Sequence, residues 1–155
     1  MRHFTIDQSG KVEDTSAHTI LAFSSNDIQY SIKIPKQIKQ DIFTQCQKKH
    51  KTNLALRLFS YALYLLLKEK IDKDSIVIID DEYPGHGKDI KQYLMHHTGL
   101  QKEQIRFALI GKKDSAHKIA YLTFCGKLKP NYVVTEKEFN LNVIIPTKKL
   151  KELLI

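Results

Sequence analysis

The chain has 155 residues, 42% hydrophobic and 27% charged, with six glycines and four prolines. That is one domain's length with apolar content for a single core, and it excludes a collagenous, low-complexity or disordered chain. Lys and Arg number 25 against 17 Asp and Glu, a formal net charge of +8, which favours polyanionic partners, nucleic acid among them, over a neutral small molecule.

In chain order, residues 2–7 alternate and are rich in β-branched and aromatic side chains, which predicts a first strand ending in the turn Gln8-Ser9-Gly10-Lys11. An opening of this kind is a strand rather than a targeting segment, so a cytoplasmic location is expected. A second strand is predicted over 19–23 and a third over 28–34, where Ile28, Tyr30, Ile32 and Ile34 share one face. Short polar loops join the three, so an antiparallel meander is expected. Pro35 stands where a helix would begin, and Ile38, Ile42, Phe43 and Cys46 recur at helical spacing. Asn53 is positioned to cap a second, mostly buried helix through about residue 70. Its apolar stretch, 54–67, contains Arg57 and is too short to span a bilayer, so no membrane partner is expected.

The second half changes character. Residues 75–79 form a continuous apolar run ending at Asp80, the pattern of a strand covered on both faces. A loop containing Pro84, Gly85 and Gly87 leads to a helix over about 88–97, stopped by Thr98-Gly99. A further buried strand at 105–110 and a helix at 115–124 follow. Beyond about residue 131 lies a C-terminal extension in which Val133-Val134 and residues 143–145 read as short strands and 147–154 as a helix. No repeat or linker interrupts residues 1–155, so a single domain is expected. The order β-β-β-α(α)-β-α-β-α gives an α/β fold with a mixed five-stranded sheet and helices on its faces. A flavodoxin-like alternative is disfavoured because that fold opens on a β-α unit. Cys46 and Cys125 cannot form a disulfide-dense scaffold and are expected to be reduced core thiols.

Charge is distributed unevenly. Lysines and arginines dominate 33–51 and 106–129, with only Asp41 and Asp114 as acids there, and an acid-rich stretch, 69–89, lies between them. Asp7 ends the first strand and Asp80 the fourth. If those strands are neighbours, the two carboxylates come within a few ångströms, and neither stays comfortably ionised without a cation. Asp80-Asp81-Glu82 directly after an apolar strand strengthens the case for a hard divalent ion, Mg²⁺ or Mn²⁺, held by oxygen ligands.

Three segments resemble the ribonuclease H-like nucleases. Ile6-Asp7-Gln8-Ser9-Gly10 resembles their first strand, whose catalytic Asp begins a turn. Ile79-Asp80-Asp81-Glu82-Tyr83 resembles the fourth-strand segment with its metal-binding Asp. Gly111 followed by Ala116-His117-Lys118-Ile119-Ala120 resembles the last-helix segment, with His117 where many members carry Asp. Piwi domains and RuvC-type resolvases place a His in this part of the site. The resemblance spans about residues 2–125 and implies a metal-dependent nuclease acting on DNA or RNA. Asp7, Asp80 and His117 would form its site, with Asp81 and Glu82 assisting; Asp114 is a rival for the part of His117. One departure matters: ribonuclease H carries a Glu on its first helix, whereas 53–68 holds no acid and Glu69 arrives only in the last turn. Asp41 or Glu82 would have to substitute. Otherwise the chain is a nucleic-acid-binding or protein-interaction domain on the same fold.

Gly85-His86-Gly87-Lys88 invites comparison with a phosphate-binding loop, but Glu82 and Asp89 stand where the nucleotide-triphosphatase pattern needs Gly and Ser or Thr. Four glycines do precede lysines, and Lys11, Lys88 and Lys112, with Lys113 and Lys118, are candidates for holding a phosphodiester backbone. No Cys or His pair has zinc-ligand spacing.

Overall fold

Side-chain alternation in the first three strands folds them into the expected meander: β1 (His3–Ser9) pairs antiparallel with β2 (Thr19–Ser25), and β2 with β3 (Ile28–Ile34). These come from a computed structural model, which describes residues 2–26, 28–45 and 51–139. The chain then runs through α1 (Lys36–Gln45) and α2 (Lys51–Leu67) to β4 (Ile76–Asp80), which pairs parallel with β1. From β4, α3 (Gly87–Thr98) leads to β5 (Ile105–Ala108), parallel to β4, and α4 (Ser115–Phe124) follows.

The chain is therefore α/β with a mixed sheet, but of six strands rather than the expected five, in the order β5-β4-β1-β2-β3-β6. The sixth, β6 (Tyr132–Val133), lies parallel to β3. Asn131 secures it: its Oδ1 accepts the Ser31 N–H at 2.8 Å and its own N–H donates to the Ser31 carbonyl at 2.9 Å. A short α5 (Glu136–Phe139) follows, with Phe139 fully buried. A two-residue strand is too short to show a period, which is why its pairing could not be anticipated. The readings at 143–145 and 147–154 lie outside the described residues. Helix α2 starts at Lys51, so Asn53 is inside the helix and exposed instead of capping it.

The period of two divides the core between the sheet's faces. Phe4 and Ile6 of β1, Leu21 and Phe23 of β2, and Val77 and Ile79 of β4 point to one side, where α1, α2 and α3 supply Ile42, Leu58, Phe59, Ile90 and Leu94. Phe4 and Phe23 meet edge-on with ring centroids 5.0 Å apart, a favoured aromatic geometry. The opposite face has a much smaller core: Ile20, Ala22 and Ala120, with Ile119 and Phe124 partly covering it. Buried Ala116 and Ala120 let α4 lie close against β1 and β2. No helix among the described residues is long and apolar enough to cross a membrane. Cys125 is a free thiol on the surface, contrary to the expected core position, because it follows the last turn of α4 rather than joining its buried stripe. Cys46 lies outside the described residues.

Candidate metal centre

Ile6 is aligned with Ile79 in the last pair of the parallel β1–β4 ladder, so the next residues, Asp7 and Asp80, stand side by side where that ladder ends. Alternation turns both carboxylates away from the large core and towards the face covered by α4. Asp7, which is aligned with Ala22 of β2, is buried with 4% of its surface exposed. Just past β4 the backbone folds back, the Glu82 N–H donating to the Asp80 carbonyl at 2.9 Å. Ligand oxygens of Asp7, Asp80 and Glu82 thereby lie within 4.8 Å of one another.

Each carboxylate is held. The Gln8 N–H donates to Asp7 Oδ1 at 2.8 Å, and His117 Nδ1 lies 2.7 Å from Asp7 Oδ2. With Asp7 ionised, Nδ1 carries a proton and donates it to the carboxylate; in the neutral ring Nε2 is then the acceptor. The Ile110 N–H donates to Asp80 Oδ1 at 2.7 Å, tying the loop after β5 to the cluster. Burial raises the Asp7 carboxyl above the ordinary range; the Gln8 N–H and His117 pull the other way. Glu82 is pushed up to about 8, first by burial, then by its hydrogen bond to Asp80 and the negative charge of Asp80 and Asp7, with Lys11 opposing. Three acids concentrated this far hold surplus negative charge, and their donors are all hard oxygens, a set suited to a divalent cation.

The sequence candidates sort cleanly. Asp7, Asp80 and Glu82 are brought together, and His117 joins them through Asp7. Asp81 is outside the oxygen cluster; its N–H donates to the Ala108 carbonyl at 3.0 Å, which continues the β4–β5 pairing. Asp114, the rival to His117, is the N-cap of α4, its Oδ1 accepting the Ala116 N–H at 2.8 Å, the usual use of Asp at that position. Asp41 accepts from Gln37 Nε2 along α1 and Glu69 is exposed; neither belongs to the cluster. Among the described residues, Glu82 is the third acid beside Asp7 and Asp80 in the cluster. Lys11, Lys88, Lys112, Lys113 and Lys118 are all exposed, and Lys11 is the one whose charge acts on Glu82.

One residue of consequence escaped the sequence reading. Lys39 is fully buried in α1, and its ammonium donates to the Lys11 carbonyl at 3.2 Å, the Asp14 carbonyl at 2.6 Å and Thr19 Oγ1 at 2.9 Å. It thereby pins the loop 10–18, which carries Lys11 past the carboxylates. The available signal was its place between Ile38 and Ile42 on the buried stripe of the helix. The same loop is fastened to α4, where His18 Nε2 lies 3.0 Å from the Phe124 carbonyl.

Comparison of the sequence with protein-family models and with curated proteins gave no match.

Proposed function

We propose that the chain is a divalent-metal-dependent nuclease of ribonuclease H-like architecture, hydrolysing phosphodiester bonds of DNA or RNA. The observation that carries this reading is the convergence of Asp7, Asp80 and Glu82 oxygens within 4.8 Å, where the parallel pairing of two neighbouring strands ends. The sheet order β5-β4-β1-β2-β3 supports it too, with its antiparallel meander and parallel β1, β4 and β5.

Asp7, Asp80 and Glu82 would hold Mg²⁺ or Mn²⁺. Bound there, such an ion polarises the phosphate, lowers the pKa of water and offsets charge on the leaving oxygen. The chain's own groups do the rest. Asp7 fixes the His117 ring through Nδ1, so that Nε2 is presented as the base that takes a proton from the attacking water as the phosphorus–oxygen bond breaks. The Ile110 N–H keeps the Asp80 carboxylate from rotating. Lys11, Lys88, Lys112, Lys113 and Lys118 supply positive charge for the flanking phosphates. A cation would relieve the charge that pushes Glu82 up, and that carboxyl would then ligate as the anion.

The absence of an acid from α2 favours one rival, a nucleic-acid-binding or protein-interaction domain without catalysis. Labelled single-stranded, duplex and hybrid substrates, incubated with Mg²⁺, Mn²⁺ or chelator, separate the two. Metal-dependent cleavage lost in both Asp7→Asn and Asp80→Asn is the expected result. Cleavage surviving both substitutions refutes this site, and binding by folded protein without cleavage favours the rival.

A further inference from the structure

We infer that the cleft between α3 and the β5 edge is a subsite for single-stranded nucleic acid, stacking one base on Phe107 between Lys88, Lys91 and Lys102. The cleft has a volume of about 470 Å³, within the roughly 300–1,000 Å³ common for ligand sites. Its walls come from separate elements. Lys88 and Lys91 stand one turn apart on α3, Lys102 faces them from the turn before β5, and Phe107 and Met95 form the apolar part. Among the described residues no carboxylate lines it. A cationic rim on two sides of an aromatic ring fits an anionic chain that carries flat, apolar-faced groups. Base stacking on an aromatic residue beside a positive groove is how single strands are held without sequence preference. An acidic polypeptide would satisfy the lysines but leave the ring unused.

The local structure keeps the ring where it is. A Cβ at position 87 would meet Phe107 ring atoms at 3.2 and 3.3 Å, tighter than ordinary contact, so glycine there admits the phenyl group against the start of α3. Phe107 is aligned with Ile79, the residue before Asp80, and points to the opposite face of the sheet from the carboxylates. Segment 81–86, which carries Glu82, joins Asp80 to Gly87 at the head of the cleft. The substrate class rests on the nuclease reading above; the ring and the three lysines do not depend on the metal centre.

The test is the binding of a fluorescent oligothymidylate, and of an abasic strand of equal length, measured by anisotropy in chelator across a salt series. Phe107→Leu is expected to weaken the base-bearing strand about 10-fold and leave the abasic strand unchanged, since stacking on an aromatic side chain is worth about 1–3 kcal/mol per base. Lys91→Gln combined with Lys102→Gln is expected to weaken both strands and to reduce the slope of log affinity against log salt by about 1.4, from two lost phosphate contacts. Circular dichroism establishes that each variant is folded, and the lysine pair decides the matter if Phe107→Leu is not. Wild-type affinity in the lysine pair, equal losses for both strands in folded Phe107→Leu, or displacement by polyglutamate as strong as by oligothymidylate would overturn the subsite. Cleavage assays on the same proteins keep the two readings apart. Wild type that binds through the cleft yet never cleaves with metal refutes the nuclease alone. Wild type that cleaves while the cleft variants bind normally refutes the cleft alone.

Discussion

Replacing Lys39 by methionine removes an ammonium from beneath the loop 10–18 while keeping most of the side chain's volume. Burial lowers the Lys39 pKa from 10.5 to about 8. The native chain thus releases this proton near pH 8, whereas the unfolded chain keeps it to about 10.5. Between those values the unfolded state binds more protons, so wild-type stability rises with pH across the window. At 1.36 kcal/mol per pKa unit the rise is about 3 kcal/mol. Below pH 8 the charged amine is costly to bury, but its loss strands the Lys11 and Asp14 carbonyls and Thr19 Oγ1, at about 1–3 kcal/mol each. These effects oppose each other at pH 7. By pH 10.5 only the loss remains. Urea denaturation of both proteins at pH 7 and pH 10.5, followed by circular dichroism, should show the stability gap in favour of wild type widening by about 3 kcal/mol. Tyrosine titration is shared by the two proteins and drops out of the difference. A gap that stays flat or narrows would refute a costly buried ammonium at this position.

Glu82→Gln tests the carboxylate cluster in the opposite sense. With Glu82 raised from 4.5 to about 8, the native state holds the extra proton between those values, so wild-type stability falls as pH rises through them. In chelator at pH 8.5 the variant should melt above wild type by about 1–2 kcal/mol after solvent screening, or roughly 2–8 °C; at pH 4.5 the two should coincide. Adding Mg²⁺ or Mn²⁺ at about 100 times its dissociation constant should stabilise wild type by about 2.7 kcal/mol, and Asp80→Asn should show little of this shift in the same melting experiment. Gly10→Ala should cost about 2–5 kcal/mol in urea denaturation, because Gly10 has φ +80° and a Cβ there would come 2.4 Å from the His18 carbonyl oxygen and 2.7 Å from the Phe124 ring.

Much of the fold was legible because its elements announce themselves by period. Ile28–Ile34 and Ser115–Phe124 match expectation residue for residue, and the apolar run before Asp80 became a buried parallel strand. The ends of β1 and β2 extend two residues further than alternation suggested, since backbone pairing continues through polar Gln8, Ser9, Ser24 and Ser25. Asp7 and Asp80 could be read as partners once their strands were taken as neighbours. His117 needed the resemblance, because nothing local to α4 says that its ring meets a carboxylate 110 residues away. Asp81 and Glu82 could not be told apart in sequence. A backbone turn decides between them, giving Asp81's N–H to β5 and Glu82's side chain to the cluster. Lys39 and the Phe107 cleft were hidden for a related reason: both depend on what lies across from them in space.

The sheet also separates two kinds of vulnerability. Nearly all of the large apolar side chains lie on the face covered by α1, α2 and α3. Asp7, Asp80 and His117 share the other face with a much smaller apolar cluster, Ile20, Ala22 and Ala120. Carboxylates and cohesion are therefore written on opposite sides of the same strands, in alternate letters. A change at Asp7 alters the carboxylate cluster and leaves the main core intact; a change at Phe4 or Ile6 unsettles the fold without touching the cluster. The carboxylate cluster can consequently be emptied of acids with the main core left as it stands.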